Sequence, residues 1–176
     1  MNRTDCPNCG VHCICTTVAM VGDSIIERAP WDIANFGRSS ERTAGLLKRL
    51  PDIINAAPSA VFIMVGINDI RAYVPVRDIV TRYKQIIERL LGSGIEVYII
   101  QPLPVRGDFF YANIGRNELA AEIERFSAEY RNVTVITPKM ADRFGELAEE
   151  FSADGVHLSK LGYQVLYETI IPYING

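Results

Sequence analysis

The chain has 176 residues, 48% of them hydrophobic and 22% charged, with a formal net charge of -3. Such a length suits one domain with a substantial core, and the composition excludes a disordered chain. The slightly acidic balance leaves no basic footprint for nucleic acid, and no apolar run reaches the roughly 18 residues that a membrane span requires.

The first fifteen residues read as a cysteine-rich extension, with residues 16–176 as the main domain. Cys6-Pro7-Asn8-Cys9-Gly10 has the form of one zinc knuckle, and Cys13 and Cys15, beside His12, supply further sulfurs. Four thiolates would complete a tetrahedral structural zinc site. Cys13 and Cys15, however, are one residue apart and follow Cys9 closely, and Cys15 also fits the start of a buried strand. A metal site, free or buried thiols, and disulfides all stay open, and no metal ligand is assigned. Met1-Asn2-Arg3-Thr4-Asp5 lacks the apolar segment of a secretory leader, so a cytoplasmic location is expected.

Beyond the extension, strand and helix patterns alternate. Thr16 to Val21 is a short apolar run ending at glycine, as a strand buried on both faces requires. Asp32 to Phe36 predicts a shorter strand, and Ala60 to Val65, closed by Gly66, a strong one. Ile79, Tyr83, Ile86, Ile87 and Leu90 recur at helical spacing and stop at Gly92-Ser93-Gly94. Ile95 to Ile100 and Val133 to Ile136 predict two more strands, separated by a helix over Asn117 to Tyr130. Leu161, Val165, Leu166 and Ile170 mark a last helix, with Ser159 as its N-cap. This alternation predicts an α/β fold with a parallel sheet covered by helices on both faces, and ligands bind such sheets beyond the carboxyl ends of the strands.

The polar residues of interest fall at those ends. Ser24 follows the first strand, Gly37 the second and Asn68-Asp69 the third, while Asp154-Gly155-Val156-His157 precedes the last helix. A serine hydroxyl needs a neighbouring base to become a nucleophile, and His157 is the one histidine beyond the first dozen residues. Asp154, across a glycine, can fold back onto one ring nitrogen and fix the tautomer. Backbone amides of Ser24 and Gly37 and the side-chain amide of Asn68 would meet the oxyanion of an acyl-transfer intermediate.

Gly22-Asp23-Ser24, Gly37 within Asn35-Phe36-Gly37, Gly66-Ile67-Asn68-Asp69 and Asp154-Gly155-Val156-His157 together resemble the four blocks of the SGNH hydrolases, also called GDSL esterases and lipases. The blocks occur in the family's order and span most of the chain. The resemblance implies a three-layer α/β/α sandwich, flavodoxin-like, with about five parallel strands, and an esterase, thioesterase or lipase acting on a small-molecule ester without a cofactor. It implies Ser24 as nucleophile, Asp154 and His157 as the rest of the triad, and Gly37 and Asn68 as oxyanion donors. The chain departs from the pattern in having Ile25 where the family name has leucine, and Arg38-Ser39-Ser40 where a second glycine would follow Gly37.

Plainer readings stand beside these. Asp23 or Ser24 alone suits a helix N-cap, and Asn68-Asp69 alone suits a turn. Asp23 and Asp69 read as supports for nearby backbone. Arg71, Arg106 and Tyr111 lie in loops near the presumed site. A transferase using the same triad and a silent glycan- or acyl-binding module are the alternative functions. Short loops without an apolar lid favour a small acyl group such as acetyl, so a carbohydrate or small-acyl deacetylase is among the expected activities.

Overall fold

A computed structural model describes residues 18–174. The extension over residues 1–15, with Cys6, Cys9, Cys13 and Cys15, lies outside the described residues. Among the described residues no group of three or more His, Cys, Asp or Glu side chains is placed to hold a metal ion. No helix among them is long and apolar enough to cross a membrane.

Five strands form one parallel sheet: β1 (Val18–Gly22), β2 (Ala34–Gly37), β3 (Ala60–Met64), β4 (Glu96–Ile100) and β5 (Val133–Ile136). Their order is β2-β1-β3-β4-β5. The chain reverses its direction of travel across the sheet between β1 and β3, the switch point where open α/β sheets leave a crevice for ligands. Ser24 and Asn68 stand just beyond the carboxyl ends of these two neighbours.

Strand alternation splits the core into two layers. Ala19, Val21, Val61, Ile63, Val97 and Ile99 face one side, while Met20, Phe62, Met64 and Ile100 face the other. The first side is covered by α2 (Thr43–Asn55), α4 (Val76–Gly92) and α5 (Ala112–Ser127) through Leu46, Leu50, Ile53, Ile79, Tyr83, Ile86, Leu119, Ile123 and Phe126. The second is covered by α1 (Ser24–Glu27) and α6 (Lys160–Ile174) through Ile25, Ile26, Tyr163, Leu166 and Ile170. Full burial of each such side chain stabilises the fold by about 1.5–3 kcal/mol. Three layers result.

The predicted strands all form, and within the described residues their ends shift by at most two residues. Three helices go beyond the sequence expectation: α1, α2 and α3 (Ile67–Arg71). Pro51 sits inside α2, where it removes a backbone donor and disfavours a helix. Burial of Leu46, Leu50 and Ile53 on one helix face outweighs that cost. Ser159 caps α6 as expected, its Oγ accepting the N–H of Gly162 at 3.1 Å.

Candidate active site

Asp23 and Ser24 divide the tasks that either could have held. Asp23 is the N-cap of α1, and its Oδ1 accepts the N–H of Ile25 at 3.0 Å. Ser24, the first helical residue, is thereby spared the capping role, and its Oγ lies 3.0 Å from Nε2 of His157. A first-turn N–H has no partner within its own helix, so the Ser24 amide is also uncommitted by α1. Asp23 is 1% exposed, and burial pushes its carboxyl up to about 7 against the pull of the Ile25 and Asp23 backbone amides.

His157 and Asp154 sit in a tightly bonded loop before α6. Asp154 Oδ1 accepts the N–H groups of Val156 at 3.1 Å and His157 at 2.8 Å, and Oδ2 lies 2.6 Å from His157 Nδ1. The loop is closed by Ala153 N–H to the His157 carbonyl at 2.9 Å and by Gly155 N–H to Ser152 Oγ at 2.8 Å. Gly155 has φ of 91, a left-handed conformation, and a Cβ there would lie 2.8 Å from the Arg106 carbonyl. Partial burial opposes ionisation of Asp154, but the His157 backbone, the His157 ring and the Val156 backbone hold its carboxyl down to about 2. An ionised carboxylate can only accept hydrogen bonds, so in the neutral imidazole Nδ1 carries the ring proton and Nε2 presents a lone pair to Ser24.

The other two blocks lie at the carboxyl end of β2 and just after that of β3. Gly37, at the end of β2, donates its N–H to Asn35 Oδ1 at 2.8 Å, while Asn35 Nδ2 donates to the Ile26 carbonyl at 2.7 Å. A Cβ on Gly37 would stand 2.1 Å from the Glu27 nitrogen. This glycine therefore lets β2 close against α1, and its amide is engaged by Asn35. Asn68, the second residue of α3, donates one Nδ2 proton to the Glu41 carbonyl at 3.1 Å. A primary amide has a second proton to give.

Asp69 supports the same region. It is fully buried, and its two oxygens accept the N–H of Thr43 at 2.8 Å and the Thr43 hydroxyl at 2.7 Å, with Arg82 at 3.6 Å. The carboxylate so placed stabilises the amino end of α2, although burial raises its pKa against the Thr43 and Arg82 contributions.

Sequence reasoning missed the residues that hold the loop after β2. Ser40 has φ of 60 in a turn closed by Glu41 N–H to the Arg38 carbonyl at 3.1 Å. Positive φ at the third turn position favours glycine, so Ser40 holds a conformation that glycine would adopt without strain. Ser39 hydrogen-bonds Glu27 through its hydroxyl. Buried Arg49 pairs with Glu41 at 2.5 Å and donates to the Phe36 carbonyl at 2.6 Å, tying the loop to α2. Nothing local in the sequence signals the Arg49 contacts, which form only once α2 is docked.

Of the three residues singled out near the site, Arg71 ends α3, Tyr111 immediately precedes α5, and Arg106 lies in the segment after β4. The Arg106 N–H donates to the Gly155 carbonyl at 2.8 Å, and the Arg71 guanidinium lies 4.6 Å from the ring centroid of Phe109. Tyr111 stacks on Tyr73.

A comparison with curated proteins gives no match. The sequence profile of the GDSL-like Lipase/Acylhydrolase family matches residues 8–165. The chain belongs to this family. As a GDSL-like acylhydrolase it is an enzyme acting on ester bonds, and the parallel five-stranded sheet agrees with the fold that the sequence resemblance implied. Solved structures share that fold. A protein of Streptococcus pneumonia is 25% identical, with a TM-score of 0.81 over 90% of this chain and 83% of that one. A GDSL-like lipase of Bacteroides thetaiotaomicron is 23% identical, with a TM-score of 0.82 over 91% and 88%. A carbohydrate esterase of family 3 from Talaromyces cellulolyticus is 16% identical, with a TM-score of 0.74 over 90% and 95%.

Proposed function

We propose that this GDSL-like acylhydrolase cleaves a carboxylic ester of a small acyl group through an acyl-enzyme on Ser24. The observation that carries this reading is the unbroken line from Ser24 Oγ to His157 Nε2 at 3.0 Å and from His157 Nδ1 to Asp154 Oδ2 at 2.6 Å. Ser24 Oγ attacks the ester carbonyl carbon while His157 Nε2 takes the hydroxyl proton. Asp154, ionised far below neutrality, stabilises the imidazolium that results. Collapse of the tetrahedral intermediate breaks the bond to the alcohol oxygen, which leaves with the proton from Nε2. A water then gives its proton to Nε2, attacks the acyl carbon and releases the carboxylic acid with Ser24 restored.

The oxyanion is met by the Ser24 N–H and the second Nδ2 proton of Asn68, both with donor capacity left over. Gly37 N–H joins them only if Asn35 Oδ1 gives up its bond, so we assign Gly37 chiefly to the seating of α1. No step calls for a metal or organic cofactor. The test is hydrolysis of p-nitrophenyl acetate by the wild type and Ser24→Ala, together with labelling by a fluorophosphonate probe. Loss of both signals in the variant is expected. Equal rates for the two proteins, or equal labelling, would refute the mechanism.

A further inference from the structure

Tyr73 combines two unfavourable features that the fold itself does not need. It is 82% exposed and has φ of 57. A bulky residue rarely adopts that left-handed conformation, which at the end of a helix usually falls to glycine. The backbone bonds around it, Tyr73 N–H to the Ile70 carbonyl at 2.9 Å and Val74 N–H to the Asp69 carbonyl at 3.0 Å, make no use of the phenol. Its ring instead lies nearly parallel to that of Tyr111, with 15° between planes and 6.4 Å between centroids. Strain and exposure held together in this way mark a surface waiting for something to cover it.

The position narrows what that is. Tyr73 follows α3, which carries Asn68, and Tyr111 follows the segment that packs on the His157 loop. That segment is anchored by Arg106 N–H to the Gly155 carbonyl, and Phe109 Cδ2 would lie 3.4 Å from a Cβ on Gly155. The tyrosine pair thus spans from the Asn68 flank of the site to the His157 flank. In the reaction proposed above, on which this inference rests, the departing oxygen collects its proton from His157, so the alcohol portion of the ester must lie on that flank.

We infer that Tyr73 and Tyr111 bind the alcohol portion of the substrate, and that this portion is a carbohydrate ring. A sugar offers a flat face of C–H groups to an aromatic ring and hydroxyls at its edge to the phenolic oxygens. A long alkyl chain gains most from a dry enclosure, which an aromatic ring left 82% exposed does not provide.

The full chain is tested on a monoacetylated methyl glucopyranoside and on ethyl acetate. Tyr73→Gly is the informative variant, because glycine holds φ of 57 without strain and the loop keeps its path while the ring is lost. The ratio of kcat/KM for the sugar ester to that for ethyl acetate should fall about fivefold, carried by KM, with Tm not lowered. Tyr73→Phe should retain most of the ratio. An unchanged ratio in Tyr73→Gly would overturn the inference. A second arm needs no turnover: methyl glucopyranoside is titrated by NMR against Ser24→Ala and against Ser24→Ala with Tyr73→Gly. Binding about fivefold weaker in the double variant supports the subsite, and equal binding overturns it. Tyrosine-dependent binding in a protein whose wild type cleaves neither ester would overturn the hydrolase reading alone.

Discussion

The hydroxyl of Ser24 lies 3.0 Å from Nε2 of His157, across 133 residues of chain. The two are delivered by different elements, α1 after β1 and the loop before α6, and they are also tied outside the contact itself. Tyr163 of α6 donates its hydroxyl to the Ile25 carbonyl at 2.9 Å, so the helix behind His157 grips the helix that carries Ser24. Geometry at the reacting atoms is therefore held by packing on one face of the sheet.

The substitution Asp154→Asn tests the orientation of the ring. The amide keeps the volume of the carboxylate but loses the charge that fixes the proton on Nδ1, and kcat should fall on the order of 10³- to 10⁴-fold. The measurement is kcat on p-nitrophenyl acetate beside a circular dichroism spectrum, and a loss below about tenfold with the fold intact would mean that Asp154 serves the loop and not the ring.

Asn68→Ala removes the side-chain donor proposed for the oxyanion. The expected cost is on the order of 10²–10³ in kcat with a much smaller change in KM, since the hydrogen bond strengthens as charge develops. The Glu41 carbonyl also loses a partner, so Tm is measured in parallel. A fall in Tm with kcat unaltered would return Asn68 to a turn-holding role.

Gly37→Ala tests packing at the carboxyl end of β2. The new methyl group would meet the Glu27 nitrogen at 2.1 Å, and relief requires α1 to move. Overpacking of this kind costs about 1–3 kcal/mol, which lowers Tm by roughly 2–4 °C per kcal/mol in a chain of this length. Activity should fall with it, because α1 begins at Ser24. Calorimetry and a kcat measurement check both parts.

Asp23 gives stability a pH dependence of opposite sign to the usual carboxylate. Its pKa rises from 3.8 to about 7 on folding, so the stability contributed by its neutral form is complete below about pH 4 and is lost as pH rises through 7. Asp23→Asn resembles the neutral form and can still cap Ile25. The Tm of the variant relative to the wild type should therefore increase between pH 5 and pH 9, by a few degrees at about 2–4 °C per kcal/mol. Thermal melts at the two pH values decide it, and a difference that stays constant would place the Asp23 titration elsewhere.

Much of this protein is legible in its sequence because local chemistry repeats along it. Apolar runs of five or six residues announced β1, β3 and β4, and the spacing of Ile79, Tyr83, Ile86 and Leu90 announced α4, since each pattern is the footprint of one buried face. The Asp154–His157 pairing was equally visible, being a contact between residues three apart whose loop geometry is set by the glycine between them. What tertiary structure decided are meetings between distant segments. Burial of Leu46, Leu50 and Ile53 made a helix through Pro51, and only that helix brought Arg49 to Glu41 and Thr43 to Asp69. Asn35 met the Ile26 carbonyl because β2 closes on α1, and Tyr73 met Tyr111 because α3 and α5 pack together. Residue type and spacing thus determined which reactive groups the chain carries. Packing decided which of their hydrogen-bonding capacities remain free, because each donor's partner is fixed only when the layers close around it.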